Sequence, residues 1–280
     1  MNVRCICLMA LPFWVLTARA SIIDLGNADP FAVLAGSTVT NTNTPTVVHG
    51  NVGVSPGSAI TGFPPGVITA PGTMHANDAV AMQAQSSLTT AYNVAASLPC
   101  TSNLTGQDLG GLTLTPGSYC FNSSAQLTGT LTLNAQGDPN ALFVFQIGST
   151  LTTASTSSVV FTNSGEGDNL YWQVGSSAVL GTGTTFAGNI LALTSITLNT
   201  GATIGCGRAL ARNGAVTMDD NIVSIDTNGC EASGAAVPEP GTSTLLGIGL
   251  FLSPLLWLWR THSCVQRRHS CRRSSMAVKY

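Results

Sequence analysis

Short stretches in which apolar and polar residues alternate, separated by glycine, proline and asparagine, run through most of this chain. Alternation over about four to eight residues predicts β-strands that bury one face. Residues 22–72 and 104–226 both show this pattern, with turn residues between the short stretches. The sequence therefore predicts a mostly β protein built from many short strands.

Residues 74–97 have a different pattern, because they contain no glycine or proline and are rich in Ala, Gln, Met and Leu. Thr73 or Asn77 is a candidate N-cap, and Pro99 follows the end of the segment. The pattern predicts one α-helix over about residues 74–97, packed on one side of the β body. The apolar residues at helical spacing are Val80, Ala84, Leu88, Ala91 and Ala95.

Several segments of the second β region resemble one another at intervals of about 18–20 residues, near the length of one β-solenoid coil. The segments Ala178–Leu180, Ser195–Leu198 and Ala215–Met218 illustrate the similarity. A β-sandwich also has regularly spaced strands, about 8–12 residues apart. The interval alone therefore leaves both architectures open.

A six-residue template, Leu-x-Thr-(Gly/Ala)-x-Thr, occurs at Leu151–Thr156, Leu180–Thr185 and Leu198–Thr203. Stacked coils would explain why the template recurs about once per period, whereas a sandwich would not. The template therefore favours a solenoid in which threonines line up in rows. The next coil has Asp219 and Asp220 at the corresponding positions.

Charge is distributed unevenly along the chain. Of the ten Lys and Arg, only Arg208 and Arg212 lie between residues 21 and 241, whereas all twelve Asp and Glu lie there. The formal net charge of this region is therefore 2 − 12 = −10. Nucleic-acid binding needs a basic surface, so the distribution argues against that function.

The first twenty residues are typical of an export signal. Arg4 precedes a mostly apolar stretch, and Ala18-Arg19-Ala20 forms a cleavage site before Ser21. The alternative is a buried N-terminal strand. We predict a signal peptide over residues 1–20 and an exported domain over residues 21–230.

Four cysteines fall within this predicted domain, and export would place them in an oxidising compartment. Proximity in sequence predicts the pairs Cys100–Cys120 and Cys206–Cys230, although four cysteines allow three connectivities. A metal site would need a tighter cluster of ligands that includes His, so we predict neither a metal nor a cofactor.

The C-terminal region begins with a linker over residues 231–241. Residues 242–260 are strongly apolar and just long enough for a membrane span. Arginines dominate the charges of residues 261–280, which predicts a basic cytoplasmic tail and an outward-facing domain. The alternative interpretation of the apolar segment is a buried core helix.

Val237-Pro238-Glu239-Pro240, followed by the apolar span and the arginines, resembles the bacterial PEP-CTERM sorting signal. The resemblance implies that Pro238, Glu239 and Pro240 form a sorting motif read by an exosortase-type processing enzyme. It also implies anchoring in the membrane before processing and a final place in the cell envelope or outside the cell.

Residues 22–226 resemble the bacterial ice-binding protein family with a DUF3494-type domain. The segments that carry the resemblance are Leu25–Gly36, Gly50–Gly57, Leu142–Gln146, Trp172–Gly175 and Gly207–Ala211. The resemblance implies an irregular right-handed β-solenoid with one α-helix alongside, without enzymatic activity. It also implies a flat face that binds ice through Thr-(Ala/Gly)-x-(Thr/Asn) motifs. The candidate ice-binding residues are Thr153, Ser155, Thr156, Thr182, Thr184, Thr185, Thr200 and Thr203.

Two other functions are compatible with the sequence. Threonine is favoured in strands, so threonine rows could be purely structural in a cell-envelope or biofilm-matrix adhesin. A polysaccharide-acting solenoid enzyme would need carboxylates, which Asp219 and Asp220 could supply together with Arg208 and Arg212. Adjacent residues on a strand point to opposite faces, which weakens the enzyme hypothesis.

Overall fold

This computed structural model describes residues 23–42, 45–163 and 167–226, which contain twenty-two β-strands, one α-helix and two 3-10 helices, Gly26–Ala28 and Gly167–Asn169. The strands are β1 (Phe31–Ala35), β2 (Thr38–Asn41), β3 (Val47–His49), β4 (Asn51–Val54), β5 (Ala59–Thr61), β6 (Val67–Thr69), β7 (Met74–Ala76), β8 (Ser102–Asn103), β9 (Thr113–Leu114), β10 (Gly117–Phe121), β11 (Ala125–Leu127), β12 (Thr130–Asn134), β13 (Phe143–Ile147), β14 (Leu151–Thr153), β15 (Ser158–Thr162), β16 (Leu170–Val174), β17 (Ala178–Leu180), β18 (Thr185–Ala192), β19 (Ile196–Leu198), β20 (Thr203–Ala211), β21 (Val216–Met218) and β22 (Ile222–Ser224). The helix, α1, spans Ala79–Ser97.

The strands lie on three faces of a stack of coils, and the named strands pair only in parallel. The seven-stranded face runs in the order β11-β14-β17-β19-β21-β2-β5. The helix face contains β8, β10, β13, β16, β1, β4 and β7, and the third face contains β9, β12, β15, β22, β3 and β6. Parallel pairing of short strands is what stacked coils require, so the prediction of a mostly β fold with one helix is confirmed.

Two long strands, β18 and β20, connect the third face to the helix face. Their first halves pair with strands of the third face, and their second halves pair with strands of the helix face. A Cβ on Gly207 would collide with the carbonyl of Gly188, so glycine is required where the two strands bend.

The coils do not stack in the order of the sequence. β1, β2 and β3, from the N-terminal part of the domain, pair with β20, β21 and β22, from its C-terminal part. The C-terminal coil therefore lies inside the stack, and the N-terminal coils extend every face beyond it.

Aromatic rings fill the interior at one end of the stack. Tyr119, Phe145 and Trp172 are in register on neighbouring strands, with ring centroids 5.4 Å apart for the first pair and 4.0 Å for the second. The indole N–H of Trp172 donates to the carbonyl of Ala187 at 3.0 Å, which satisfies its polar atom in the core. These contacts tie the helix face to the bend in β18.

The α-helix covers the helix face, as expected, but begins later than predicted. Met74–Ala76 forms edge strand β7, which pairs with β4 and keeps these residues extended. The N-cap is Asp78, not Thr73 or Asn77, and its carboxylate accepts from the backbone N–H of Ala81 at 2.8 Å. Val80 is 44 % exposed, so its predicted place on the apolar face is wrong. The buried helix residues are Ala81, Ala84, Leu88, Ala91, Tyr92 and Ala95.

The Cys100–Cys120 disulfide predicted from proximity is confirmed and links the segment after the helix to β10. Cys206 is also disulfide-bonded, and its predicted partner, Cys230, lies outside the described residues. The predicted signal peptide, membrane span and sorting motif also lie outside them. Within the described ranges, no helix is both long and apolar enough to cross a membrane.

Replacing Cys100 and Cys120 together by serine is expected to lower the free energy of unfolding by about 3 kcal/mol. The bridge closes a loop with a sequence separation of 20, and loops of roughly this size lose that much chain entropy when cross-linked. Chemical denaturation of the oxidised protein and the double variant measures the difference. Equal denaturation midpoints and slopes would contradict the prediction.

Candidate functional site

The threonine template lies at the corner where the seven-stranded face turns into the third face. Thr153 is 3 % exposed and Thr184 is 0 % exposed, and their hydroxyl oxygens are 2.8 Å apart. Thr153 Oγ1 also accepts from the backbone N–H of Gly181 at 2.8 Å. The expectation that these two threonines face solvent is wrong, because their hydroxyls satisfy backbone groups inside the corner.

The first copy of the template is out of register with the second. Leu151 pairs with Ala178 and not with Leu180, so the first copy is displaced by two residues. The second and third copies are aligned, since Leu180 pairs with Leu198. The displacement places Thr153 in a row of inward-facing leucines, which explains its burial.

Four other candidates form the outer edge of this corner: Ser155, Thr156, Thr182 and Thr200 are all exposed. Backbone hydrogen bonds join successive coils here, from Thr156 N to Thr182 O at 2.9 Å and from Gly183 N to Thr200 O at 3.0 Å. Thr200 Oγ1 donates to Asp219 Oδ2 at 2.6 Å, so the aspartate continues the row on the next coil. These residues therefore lie in the turns between two faces of the stack and not within either sheet.

Thr185 and Thr203 belong to the third face, where they pair with each other at the start of β18 and β20. Thr185 is exposed and Thr203 is half-buried. The eight candidates are thus distributed over the interior, a corner and the third face. The structure does not bring them together on one flat face.

A row of outward-facing residues crosses the whole seven-stranded face. These residues are not part of the six-residue template. The row takes one residue from each strand, and the strand register places these residues side by side. Strands in a sheet are about 4.8 Å apart, so the row repeats at that interval. The outward row consists of Gln126, Thr152, Val179, Thr197, Thr217, Thr40 and Thr61.

The central members of the outward row lie between residues that point into the core. Ile196 and Leu198 are buried on either side of Thr197, and Val216 and Met218 are buried on either side of Thr217. Period-two alternation is therefore the sequence signal that identifies the outward row.

Hydroxyl groups also flank the outward row on the side where each strand begins. Thr150 Oγ1 donates to Ser124 Oγ at 2.8 Å, and the hydroxyls of Ser177 and Ser195 accept from backbone N–H groups of the next coil. Within the outward row, Thr61 Oγ1 lies 3.4 Å from Thr40 Oγ1. Bonds between coils hold these side chains in defined positions.

The strands of the seven-stranded face contain no charged residue in the described structure. Asp219 follows β21 at the corner, and Asp108 forms a bridge with Gln126 at the end of the sheet. Desolvation raises the pKa of Asp108, but hydrogen bonds from Gly110 and Thr128 outweigh it and hold this pKa below its usual range. Asp108 is therefore ionised at neutral pH, outside a sheet that is itself neutral.

The two arginines considered for catalysis have structural partners. Arg208 is buried, donates to Asn189 Oδ1 at 2.8 Å and pairs with Asp29 Oδ1 at 2.9 Å. The guanidinium of Arg212 lies 4.7 Å from the ring centroid of Tyr92. Across the described ranges, no three His, Cys, Asp or Glu residues are placed to hold a metal ion.

Comparison with known proteins identifies the family. The model of the ice-binding-like family matches residues 33–224. An ice-binding protein of Nostoc sp. (strain HG1) is 63 % identical over 235 residues, covering 82 % of this chain and 85 % of that protein.

Solved structures agree with this assignment. The crystal structure of an ice-binding protein from an Antarctic biological consortium has a TM-score of 0.69 and 52 % identity, covering 72 % of this chain and 90 % of that one. The structure from the ascomycete Antarctomyces psychrotrophicus also has a TM-score of 0.69, with 41 % identity, and covers 73 % of this chain and 98 % of that one. On sequence and on fold, the chain belongs to the ice-binding-like family.

Proposed function

We propose that this protein adsorbs to ice through the seven-stranded face, with the outward row at the centre of the contact. The observation that carries the proposal is the strand register, which aligns threonines on five of the seven strands: Thr152, Thr197, Thr217, Thr40 and Thr61. Membership of the ice-binding-like family supports the ligand, and the neutral sheet supports the choice of face.

Threonine suits a surface that must match ordered water. Its methyl group orders neighbouring water without binding it, while its hydroxyl donates and accepts hydrogen bonds. A row repeating at about 4.8 Å presents these groups at a constant interval, as the oxygens of an ice lattice require. Val179 has the same shape as threonine but no hydroxyl. It therefore breaks the series of hydroxyls in the row while keeping the series of methyl groups.

Rigidity favours adsorption because groups already fixed in place lose little entropy on contact. Threonine is restricted at χ1, and each strand of the sheet is backed by buried residues, such as Leu151, Ile196 and Val216. The absence of charge in these strands favours adsorption too, since charged groups would hold water in their own hydration geometry.

We also propose that the coils wind right-handed, as about 98 % of parallel crossover connections do. We propose export through residues 1–20, which the Cys100–Cys120 disulfide supports because such bonds persist in oxidising compartments. The Pro238-Glu239-Pro240 motif, the apolar segment 242–260 and the arginines after it support processing by an exosortase-type enzyme at a membrane. The protein would then act in the cell envelope or outside the cell.

Growth of ice in a solution of the full chain tests the proposed function. A cooled probe grows a slow ice front, and the amount of protein in the ice is compared with the amount left in the liquid. Adsorption to ice predicts enrichment in the ice, whereas serum albumin, as a control, should be excluded. Exclusion of the folded chain to the same extent as albumin would refute the proposal.

A further inference from the structure

A cavity of about 530 Å³ opens at the corner between the third face and the helix face. Its walls come from the turns that follow β3 and β6 and from the end of the described chain at Asp226. The volume lies within the range of small-molecule sites, about 300–1,000 Å³. This corner is opposite the seven-stranded face, so a ligand here would leave that face free.

A chain of hydrogen bonds fixes one polar wall of the cavity. Asp78 Oδ2 lies 2.8 Å from His75 Nδ1, and His75 Nε2 lies 2.8 Å from Thr73 Oγ1. Asn51 Oδ1 lies 3.1 Å from Thr73 Oγ1 and accepts from the backbone N–H of Thr73 at 2.9 Å. The bond from Asp78 to the N–H of Ala81 connects the chain to the start of the helix.

The orientation of the Asn51 amide follows from these contacts. A backbone N–H can only donate, so the amide atom facing Thr73 N must be the oxygen. The amide nitrogen, Nδ2, is then a donor with no partner among the described residues.

The opposite wall presents a second polar group without a protein partner. His49 Nδ1 lies 2.9 Å from Thr69 Oγ1, which fixes the ring and leaves Nε2 without a partner in the described part of the chain. Pro30, Pro71 and Ile225 add apolar surface between the polar groups. The cavity thus combines oriented hydrogen-bonding groups with hydrocarbon surface.

We propose that this cavity binds a neutral hexose unit. A pyranose ring has hydroxyls around its rim and C–H groups on its faces, which match the polar groups and the proline and isoleucine surfaces respectively. The lining residues include no lysine or arginine to pair with an anionic ligand, and Asn51 and His49 suit hydroxyl groups, which both donate and accept. The unit is a free sugar or part of a polysaccharide.

The proposed hexose site does not depend on ice binding, but the two activities together would have a function. A protein that holds a polysaccharide at one corner and ice on the opposite face would couple an extracellular matrix to ice. The two sites share no residue, so each can be removed separately.

Isothermal titration calorimetry of the full chain tests the hexose site with glucose, galactose, mannose and N-acetylglucosamine as probes. We expect saturable binding of at least one of them. Asn51→Asp keeps the oxygen that Thr73 contacts and removes the amide donor, so it should weaken that binding about tenfold, the equivalent of about 1.4 kcal/mol. His49→Ala, at an exposed residue, should also weaken it.

Asn103→Asp is the matched control, because Asn103 is exposed and its Oδ1 also accepts from a backbone N–H, that of Thr105 at 2.9 Å. It should bind the sugar as the unaltered chain does. Retardation in gels containing a polymer of the bound sugar, such as dextran for glucose, would assign the site to polysaccharide, and its absence would assign it to the free sugar. No saturable binding of any probe, or binding that Asn51→Asp and His49→Ala leave unchanged, would overturn the proposal.

Discussion

Replacing Thr197 by tyrosine is expected to abolish most of the thermal hysteresis that the proposed adsorption to ice would produce, while leaving the fold intact. Thr197 lies in the middle of the outward row, between Val179 and Thr217, and its side chain points away from the core. A tyrosine ring would stand above the row and keep an ice surface away from the neighbouring strands. We expect thermal hysteresis to fall by at least about 90 %, since each 1.4 kcal/mol of lost adsorption energy lowers affinity tenfold.

Two further variants test whether the loss of thermal hysteresis in Thr197→Tyr comes from the ring that projects above the row. Thr197→Val keeps the shape of threonine and copies the natural Val179, so it should retain most of the activity. Thr185→Tyr makes the same steric change at an exposed threonine of the third face, and it should leave thermal hysteresis unchanged. Thermal melting of all three variants controls for unfolding.

The comparison of Thr197→Tyr with Thr185→Tyr decides between the two exposed faces. If Thr185→Tyr abolishes activity and Thr197→Tyr does not, the seven-stranded face is the wrong surface. Loss of activity in both variants with unchanged melting would extend the contact over the corner that carries Thr182 and Thr200.

Local alternation predicted the strands of the seven-stranded face well. The similar segments Ala178–Leu180, Ser195–Leu198 and Ala215–Met218 contain β17, β19 and β21, which are neighbours in the sheet. In each segment the residue between two inward apolar residues faces out, so Thr197 and Thr217 could be identified from sequence. The six-residue template drew attention instead to the corner, where threonines satisfy backbone groups.

The rest of the site depends on contacts between distant parts of the chain. Thr40 and Thr61 join the outward row only because β2 pairs with β21, across about 175 residues of sequence. No local pattern encodes that pairing, which forms when the N-terminal coils cover the otherwise open end of the C-terminal coil. The start of the helix was misplaced for a similar reason, because pairing with β4 makes Met74–Ala76 a strand.

Replacing Trp172 by alanine is expected to lower the free energy of unfolding by about 3–5 kcal/mol, a large part of the stability of a typical domain. Trp172 is fully buried, stacks on Phe145 at 4.0 Å and lies 5.0 Å from the ring of Phe186, so the collapse of one side chain cannot fill the space. Its removal also leaves the carbonyl of Ala187 without its indole donor. Chemical denaturation followed by circular dichroism measures the loss.

Trp172→Phe separates the packing of the ring from its hydrogen bond. Phenylalanine can keep the stack on Phe145 but cannot donate to Ala187, so the expected cost is about 1–3 kcal/mol, below that of alanine. Because the residue lies inside the coils and away from the outward row, the folded fraction of Trp172→Phe should keep its thermal hysteresis. If the alanine variant were as stable as the unaltered chain, the stacked aromatic interior would be contradicted. The proposed ice-binding sheet would then lose the rigid support on which it depends.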